Sequence, residues 1–156
     1  MHTGLKMKPN VQDGVSLCTY SRAEGDFHAD NVRIGDGRIV FDLVSPFGNI
    51  SDIELGVPVS VNIENGIAAI ALAQIAGASA EEIRKGMASF GGVDRRFDFH
   101  VKTDRMVYVS DYAHHPEEIR HCLESMKELY SGRRIKVIFQ PHLYTRTRDF
   151  YREFAD

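Results

Sequence analysis

Two short polar segments carry most of the side chains in this chain that could do chemistry. The first is Ser110-Asp111-Tyr112-Ala113-His114-His115, and the second is Gln140-Pro141-His142-Leu143-Tyr144-Thr145-Arg146-Thr147, with Arg148 just beyond. Together they offer imidazoles, a carboxylate, phenols and guanidinium groups. Arginine makes paired, charge-assisted hydrogen bonds to carboxylate and phosphate, so the set suits a carboxylate-bearing or polyanionic ligand. A metal site built from His114, His115 and His142 is the weaker reading, since adjacent histidines diverge and no cysteine or carboxylate quartet completes it. His115 also reads as a plain helix cap, and His114 as a hydrogen-bonded structural histidine. Arg146 and Arg148 could form a solvated face, although the loop position of Arg146 favours a ligand. Arg95-Arg96 reads either as a linker feature or as a basic hinge facing a phosphate. Asn62 and Asn65 lie one helical turn apart and share a face, which a polar helix start alone would explain.

These residues need elements to hold them. Met106 to Val109 is a short apolar strand, and Pro116 suits the first position of a helix, where a missing N–H costs nothing. Ile119, Cys122, Leu123, Met126 and Leu129 line one face of that helix before Gly132 closes it. Ile135, Val137, Ile138 and Phe139 form an apolar run without alternation, as expected of a parallel strand covered on both faces. A last helix is expected from about Arg148. This β–α–β–α order, with a right-handed crossover, puts both polar loops at the carboxyl edge of one parallel sheet, where such folds bind ligands. The helix start at Pro116 would add partial positive charge on that side.

The first half differs. From Val15 to about Pro58 the pattern is strand-rich, with Asp36-Gly37 between alternating apolar residues as a tight hairpin. Phe47-Gly48-Asn49 is a second turn, before a short strand through Ile53 and Leu55. A helix follows with Ile63, Ile67, Ile70 and Ala71 on one face and Gly77 as its stop. Ser79 and Glu82 have capping-box spacing for a further helix carrying Ile83, Met87 and Phe90. The division expected is 1–98 and 99–156.

Composition sets the outer limits. The 156 residues carry a net charge of −3, which disfavours a general nucleic-acid coat, and 43% are hydrophobic, enough for a packed core. No apolar run approaches the ~20 residues of a membrane span. Two cysteines are too few for a disulfide framework, so reduced thiols in a cytoplasmic protein are expected.

The segments DYAHHPEEI, QPHLYTRTRDF and GGVDRRF, in their order and spacing, resemble the Mur ligases. YSRAEGDFHADN, FD…PFG and LGVPVSVNIENGIAAIALAQIAG resemble the later part of that family's central ATPase domain, so the likeness covers nearly the whole chain. The resemblance implies an α/β protein: the end of a central ATP-binding domain, then the start of a Rossmann-like C-terminal domain. It also implies a fragment of an ATP-dependent amide ligase of peptidoglycan precursor synthesis. The family's phosphate loop, of G-x-x-G-T/K-G-K-T type, occurs nowhere in the 156 residues, and the family's Mg2+ ligands are expected outside this chain. The implied substrates are UDP-N-acetylmuramate and L-alanine, with ATP as cofactor. By resemblance Asn62 and Asn65 contact adenine, and Arg96 and Asp111 reach the nucleotide. His114 orients the reacting groups, Arg146 holds the amino-acid carboxylate, and Tyr112 and His142 line that pocket.

The chain departs from the family pattern at three places. Val59 and Val61 stand where P-G-x-H-N-x-x-N has Gly and His, Ser110 replaces the first Asp of Asp-Asp-Tyr, and Leu143 occupies a position usually held by Arg. The alternatives are a fragment of the ligase that recycles murein tripeptide, and a non-catalytic nucleotide- or partner-binding module.

Overall fold

The computed structural model describes residues 1–7 and 9–155, which divide into two compact units, Met1–Gly91 and Gly92–Asp156. In the first unit, β1 (His28–Gly35), β2 (Arg38–Val44) and β3 (Ile50–Glu54) form an antiparallel sheet in that order. Gly35 pairs with Arg38, so Asp36 and Gly37 alone make the turn. Both have positive φ, 51° and 69°, which matches the right-handed twist of the flanking strands. Along β2 the alternation puts Ile39, Phe41 and Leu43 into the core, each wholly buried. Burial of each such side chain stabilises the fold by ~1.5–3 kcal/mol. Strand structure begins at His28 rather than near Val15. Upstream, the chain makes turns and the isolated bridges His2 to Tyr20 and Tyr20 to Phe27, and Val15 and Leu17 stay exposed, so the apolar residues there join no ladder.

α1 (Val61–Ile75) closes the core with Ile63, Gly66, Ile67, Ile70 and Ala71, the face its sequence periodicity predicts. α2 (Ala80–Ser89) starts at the expected capping box. The Glu82 N–H donates to Ser79 Oγ at 3.3 Å, and the Ser79 N–H donates to Glu82 Oε2 at 2.8 Å. These bonds hold the Glu82 carboxyl below its ordinary range. Ser79→Ala is expected to lower unit stability by about 1 kcal/mol, read from a urea transition. An unchanged midpoint would show the reciprocal bonds to be dispensable.

The second unit begins with β4 (Asp98–Lys102) and β5 (Val107–Ser110), an antiparallel pair closed by Thr103 and Met106. α3 (Pro116–Leu129) follows, then the short helices α4 (Tyr144–Asp149) and α5 (Tyr151–Ala155). Phe97, Leu129 and Tyr130 are its buried large side chains. The α/β class holds, but the second parallel strand does not form: residues 134–143 carry no strand pairing among the described residues. Ile138 is fully exposed, Val137 53% exposed and Phe139 38%. An apolar run becomes a buried strand only beside a sheet edge and beneath covering layers. Here β4 and β5 pair only with each other among the described residues, and the run from Val137 to Phe139 lies in the open, with neither a ladder partner nor a covering layer. The last helical stretch also starts four residues early, at Tyr144, which puts Arg146 on a helix rather than in a loop.

Candidate functional site

In the second unit the loop between β5 and α3 is tied down at every backbone N–H from Tyr112 to His115. The Tyr112 N–H donates to the Arg95 carbonyl at 2.7 Å. Asp111 accepts twice, from the Phe97 N–H through Oδ2 and from the Ala113 N–H through Oδ1, both at 2.7 Å. Glu118 Oε2 accepts from the His114 N–H at 3.1 Å and from the His115 N–H at 3.3 Å. Phe97 is buried and meets Phe99 edge-on, which anchors the segment that Asp111 holds.

That segment is backbone-strained. Arg95 and Phe97 both adopt left-handed conformations, φ 60° and 49°, on either side of Arg96. Non-glycine residues hold such angles only where the surroundings over-determine them. Here Arg96 bridges back to Val93, and two bonds to the following loop, Tyr112 N–H to the Arg95 carbonyl and Phe97 N–H to Asp111 Oδ2, supply the rest. Arg96, Asp111, Tyr112 and His114 therefore form one connected assembly. Asp111 is chiefly a backbone clamp in this state, a use that spacing alone could not reveal.

His114 is half-buried. Its Nδ1 lies 2.8 Å from the Tyr112 carbonyl and 3.6 Å from Glu118 Oε2, and the Tyr112 ring meets it edge-on at 5.4 Å. The two N–H bonds, with the charges of His114 and Arg96 nearby, hold the Glu118 carboxyl below its ordinary range despite partial burial. Its grip on the loop is complete at neutral pH and is lost as acid carries the pH down through that lowered value. Beneath the loop, burial and the Asp111 charge push the Cys122 thiol up to about 11, so it remains a thiol at neutral pH. Cys18 and Cys122 are both free.

The α3 N-terminus is not the open anion seat that the sequence suggests. Glu117 and Glu118 stand in its first turn, and the Glu118 carboxylate folds back onto the His114 and His115 N–H groups just before the helix, so negative charge already occupies that end. A carboxylate or phosphate here must rely on arginine side chains. Arg148 is engaged with Asp149 at 2.8 Å. Arg146 is half-buried on α4, and its carbonyl accepts from the Phe150 N–H. The Phe150 ring packs edge-on against His115 at 4.7 Å, which brings the end of α4 against the start of α3. His142 lies in the exposed stretch just before Leu143. Leu143 caps α4 with φ 72° and is 53% exposed.

Asn62 and Asn65 belong to the first unit. The Asn62 amide donates to the Val57 carbonyl at 3.1 Å, and Asn65 donates to Asn62 Oδ1 at 3.3 Å. Each amide carries a second N–H, so the pair keeps donors for a ligand. The charged groove on the outer face of β1–β3 is internally matched, with Arg33 on Asp52 and Arg38 on Glu54. Among the described residues no three His, Cys, Asp or Glu side chains come together as metal ligands. No described helix is long and apolar enough to cross a membrane.

Sequence reasoning missed Glu118. Its signal was present: it stands three positions after His115, with Pro116 between, the same offset as Ser79 and Glu82.

Residues 95–156 match the family described as Mur ligase, glutamate ligase domain. The chain is 63% identical to the UDP-N-acetylmuramate–L-alanine ligase of Phocaeicola vulgatus over 98% of its own length and 33% of that protein. It is 58% identical to the enzyme of the same name from Parabacteroides distasonis, over 97% of this chain and 33% of the relative. The crystal structure of the UDP-N-acetylmuramate–alanine ligase of Thermotoga maritima superposes with a TM-score of 0.72 at 27% identity, covering 85% of this chain and 31% of that one. The assembly around Asp111 and His114 lies within the matched residues 95–156, so fold, motifs and relatives agree: this segment carries the Mur ligase, glutamate ligase domain, and the chain as a whole is similar to Mur ligases while spanning about a third of the length of the ligases it matches.

Proposed function

We propose that this chain is part of an ATP-dependent amide ligase that joins L-alanine to UDP-N-acetylmuramate. The observation that carries the reading is the 63% identity, over 98% of the chain, to a relative bearing that name. In this reading ATP phosphorylates the muramate carboxylate. The alanine amine then attacks the acyl phosphate, and the tetrahedral intermediate collapses to the amide with loss of phosphate. Charge develops on phosphoryl and carbonyl oxygens, so the protein contributes mainly by positioning and by fixed charge.

The residues described above suit supporting roles. Asn62 and Asn65 keep amide donors for adenine. Arg96, held between two strained neighbours, is aimed as a phosphate-binding guanidinium, and Asp111 holds that aim while one lone pair on each oxygen remains for ribose hydroxyls. His114 orients the reacting groups, Tyr112 and His142 border the amino-acid pocket, and Arg146 takes the carboxylate. Magnesium accompanies the ATP of such ligases, and its ligands are assigned outside these 156 residues.

Substrate choice rests on one arginine, since Leu143 stands where the family usually has another. Arg146→Ala in the full-length ligase is expected to raise the amino-acid KM about 10- to 100-fold, the loss of a charge-assisted pair. Steady-state titration with L-alanine reads it, and unchanged saturation would remove the carboxylate role. The reading as a whole is tested by phosphate release from ATP with UDP-N-acetylmuramate and a panel of amines. L-Alanine is expected to be used, and preference for murein tripeptide would move the assignment to the recycling ligase. The 156-residue polypeptide alone is expected to be inactive, since it has no phosphate loop. A full-length protein that binds nucleotide without turnover would make it a binding module.

A further inference from the structure

We infer that Glu118 is the positioning residue for His114, holding its neutral ring as the Nδ1–H tautomer so that Nε2 is left as the acceptor. This deepens the proposed role of His114 and rests on it only for its catalytic meaning.

The chemistry follows from what surrounds Nδ1. The Tyr112 carbonyl at 2.8 Å can only accept, and Glu118 Oε2 at 3.6 Å is a carboxylate oxygen that can only accept. A lone pair on Nδ1 would face two acceptors, whereas a proton there is answered by both. The unrestrained histidine side chain favours the opposite tautomer, so the loop must supply the difference. Glu118 does this in two ways. Its carboxylate fixes the backbone of His114 and His115 through their N–H groups, which sets where the Tyr112 carbonyl lies relative to the ring. Its negative charge also favours the proton on the near nitrogen. The edge-on Tyr112 ring resists rotation of the imidazole, which would exchange the two nitrogens. A ligand at His114 then meets an acceptor, so the group recognised there is a donor such as an amine or ammonium, and an oxyanion is disfavoured.

A plain helix cap accounts for the N–H bonds but not for a tautomer preference, which separates the two roles. Long-range proton–nitrogen correlation spectra of the 15N-labelled 156-residue protein, taken well above the ordinary imidazole pKa, report the tautomer directly, with His114→Gln assigning the signal. The wild-type ring is expected to favour Nδ1–H by about tenfold or more, the effect of one well-placed hydrogen bond strengthened by a charge. Glu118→Gln keeps an oxygen for the loop N–H groups but removes the charge, and is expected to lower that ratio about threefold or more. A wild-type ring in the Nε2–H form, or a ratio that Glu118→Gln leaves unchanged, would overturn the inference. Should the Gln variant fail to fold, Glu118→Asp, shorter by one methylene, is read for the same drop in ratio. The spectra do not depend on turnover, so failure of the ligase assignment would leave this result standing, and the reverse.

Discussion

A Gly56→Ala variant is expected to lose about 3 kcal/mol or more of the stability of the Met1–Gly91 unit, the largest effect of any single methyl group added here. Gly56 follows β3 and Leu55, and its N–H donates to the Met87 carbonyl at 3.0 Å. A Cβ at this position would stand 2.2 Å from the Phe90 carbonyl oxygen, 2.8 Å from that of Ala88 and 3.1 Å from that of Met87. All three are backbone atoms at the end of α2, so no rotamer change relieves the contact. The helix end must move away from β3, which uncovers Leu55, Val57 and Ile83, each now 5% exposed or less. Two other glycines are controls. At Gly66 the nearest atom is the flexible Met87 methyl at 2.9 Å, so Gly66→Ala should cost far less. At Gly86 nothing lies within 4 Å, and Gly86→Ala inside α2 should stabilise by about 0.5–1 kcal/mol through helix propensity. Urea unfolding of the three variants gives the order. A Gly56→Ala protein as stable as the wild type would mean that β3 and α2 do not approach as closely as described.

In the full-length ligase, His114→Ala is expected to lower turnover by about 10²- to 10⁴-fold, the usual range for a positioned acid–base side chain, with the KM for ATP changed much less. The split follows from the site. His114 belongs to the loop that Asp111 and Glu118 hold, whereas nucleotide affinity is assigned to Asn62, Asn65, Arg96 and Asp111, whose contacts do not use the imidazole. Steady-state kinetics with ATP and L-alanine varied in turn would read it. Normal turnover would reduce His114 to a structural histidine that closes a turn.

The Mur-ligase likeness was legible in DYAHHPEEI, QPHLYTRTRDF and GGVDRRF, while the way those motifs are held was not. Asp111 reads as a ligand-binding carboxylate because acidic side chains in polar loops often are. Its partners, the N–H groups of Phe97 and Ala113, carry no side-chain signature, so only coordinates could show the carboxylate engaged with backbone. The same holds for the α3 N-terminus. The helix start was plain from Pro116, but whether that end stood open to an anion or was already met by a carboxylate depended on where Glu118 folded back.

Features encoded within a few residues were settled by the sequence alone. The two-residue turn at Asp36-Gly37, the buried face of α1, the Ser79–Glu82 cap and the start of α3 all arise from local geometry and period, and each forms where its pattern stands. The tertiary structure decided whatever needed a distant partner. Ile135–Phe139 is apolar enough for a buried strand, yet it pairs with no described strand, and Val137, Ile138 and Phe139 stay exposed. The two polar loops were expected to meet along a parallel sheet edge. Among the described residues, a contact between the first loop and the segment just after the second is His115 against Phe150, edge to face at 4.7 Å. Local sequence specifies what an element can bury, but burial and pairing are completed by residues far along the chain, and only the folded arrangement supplies those.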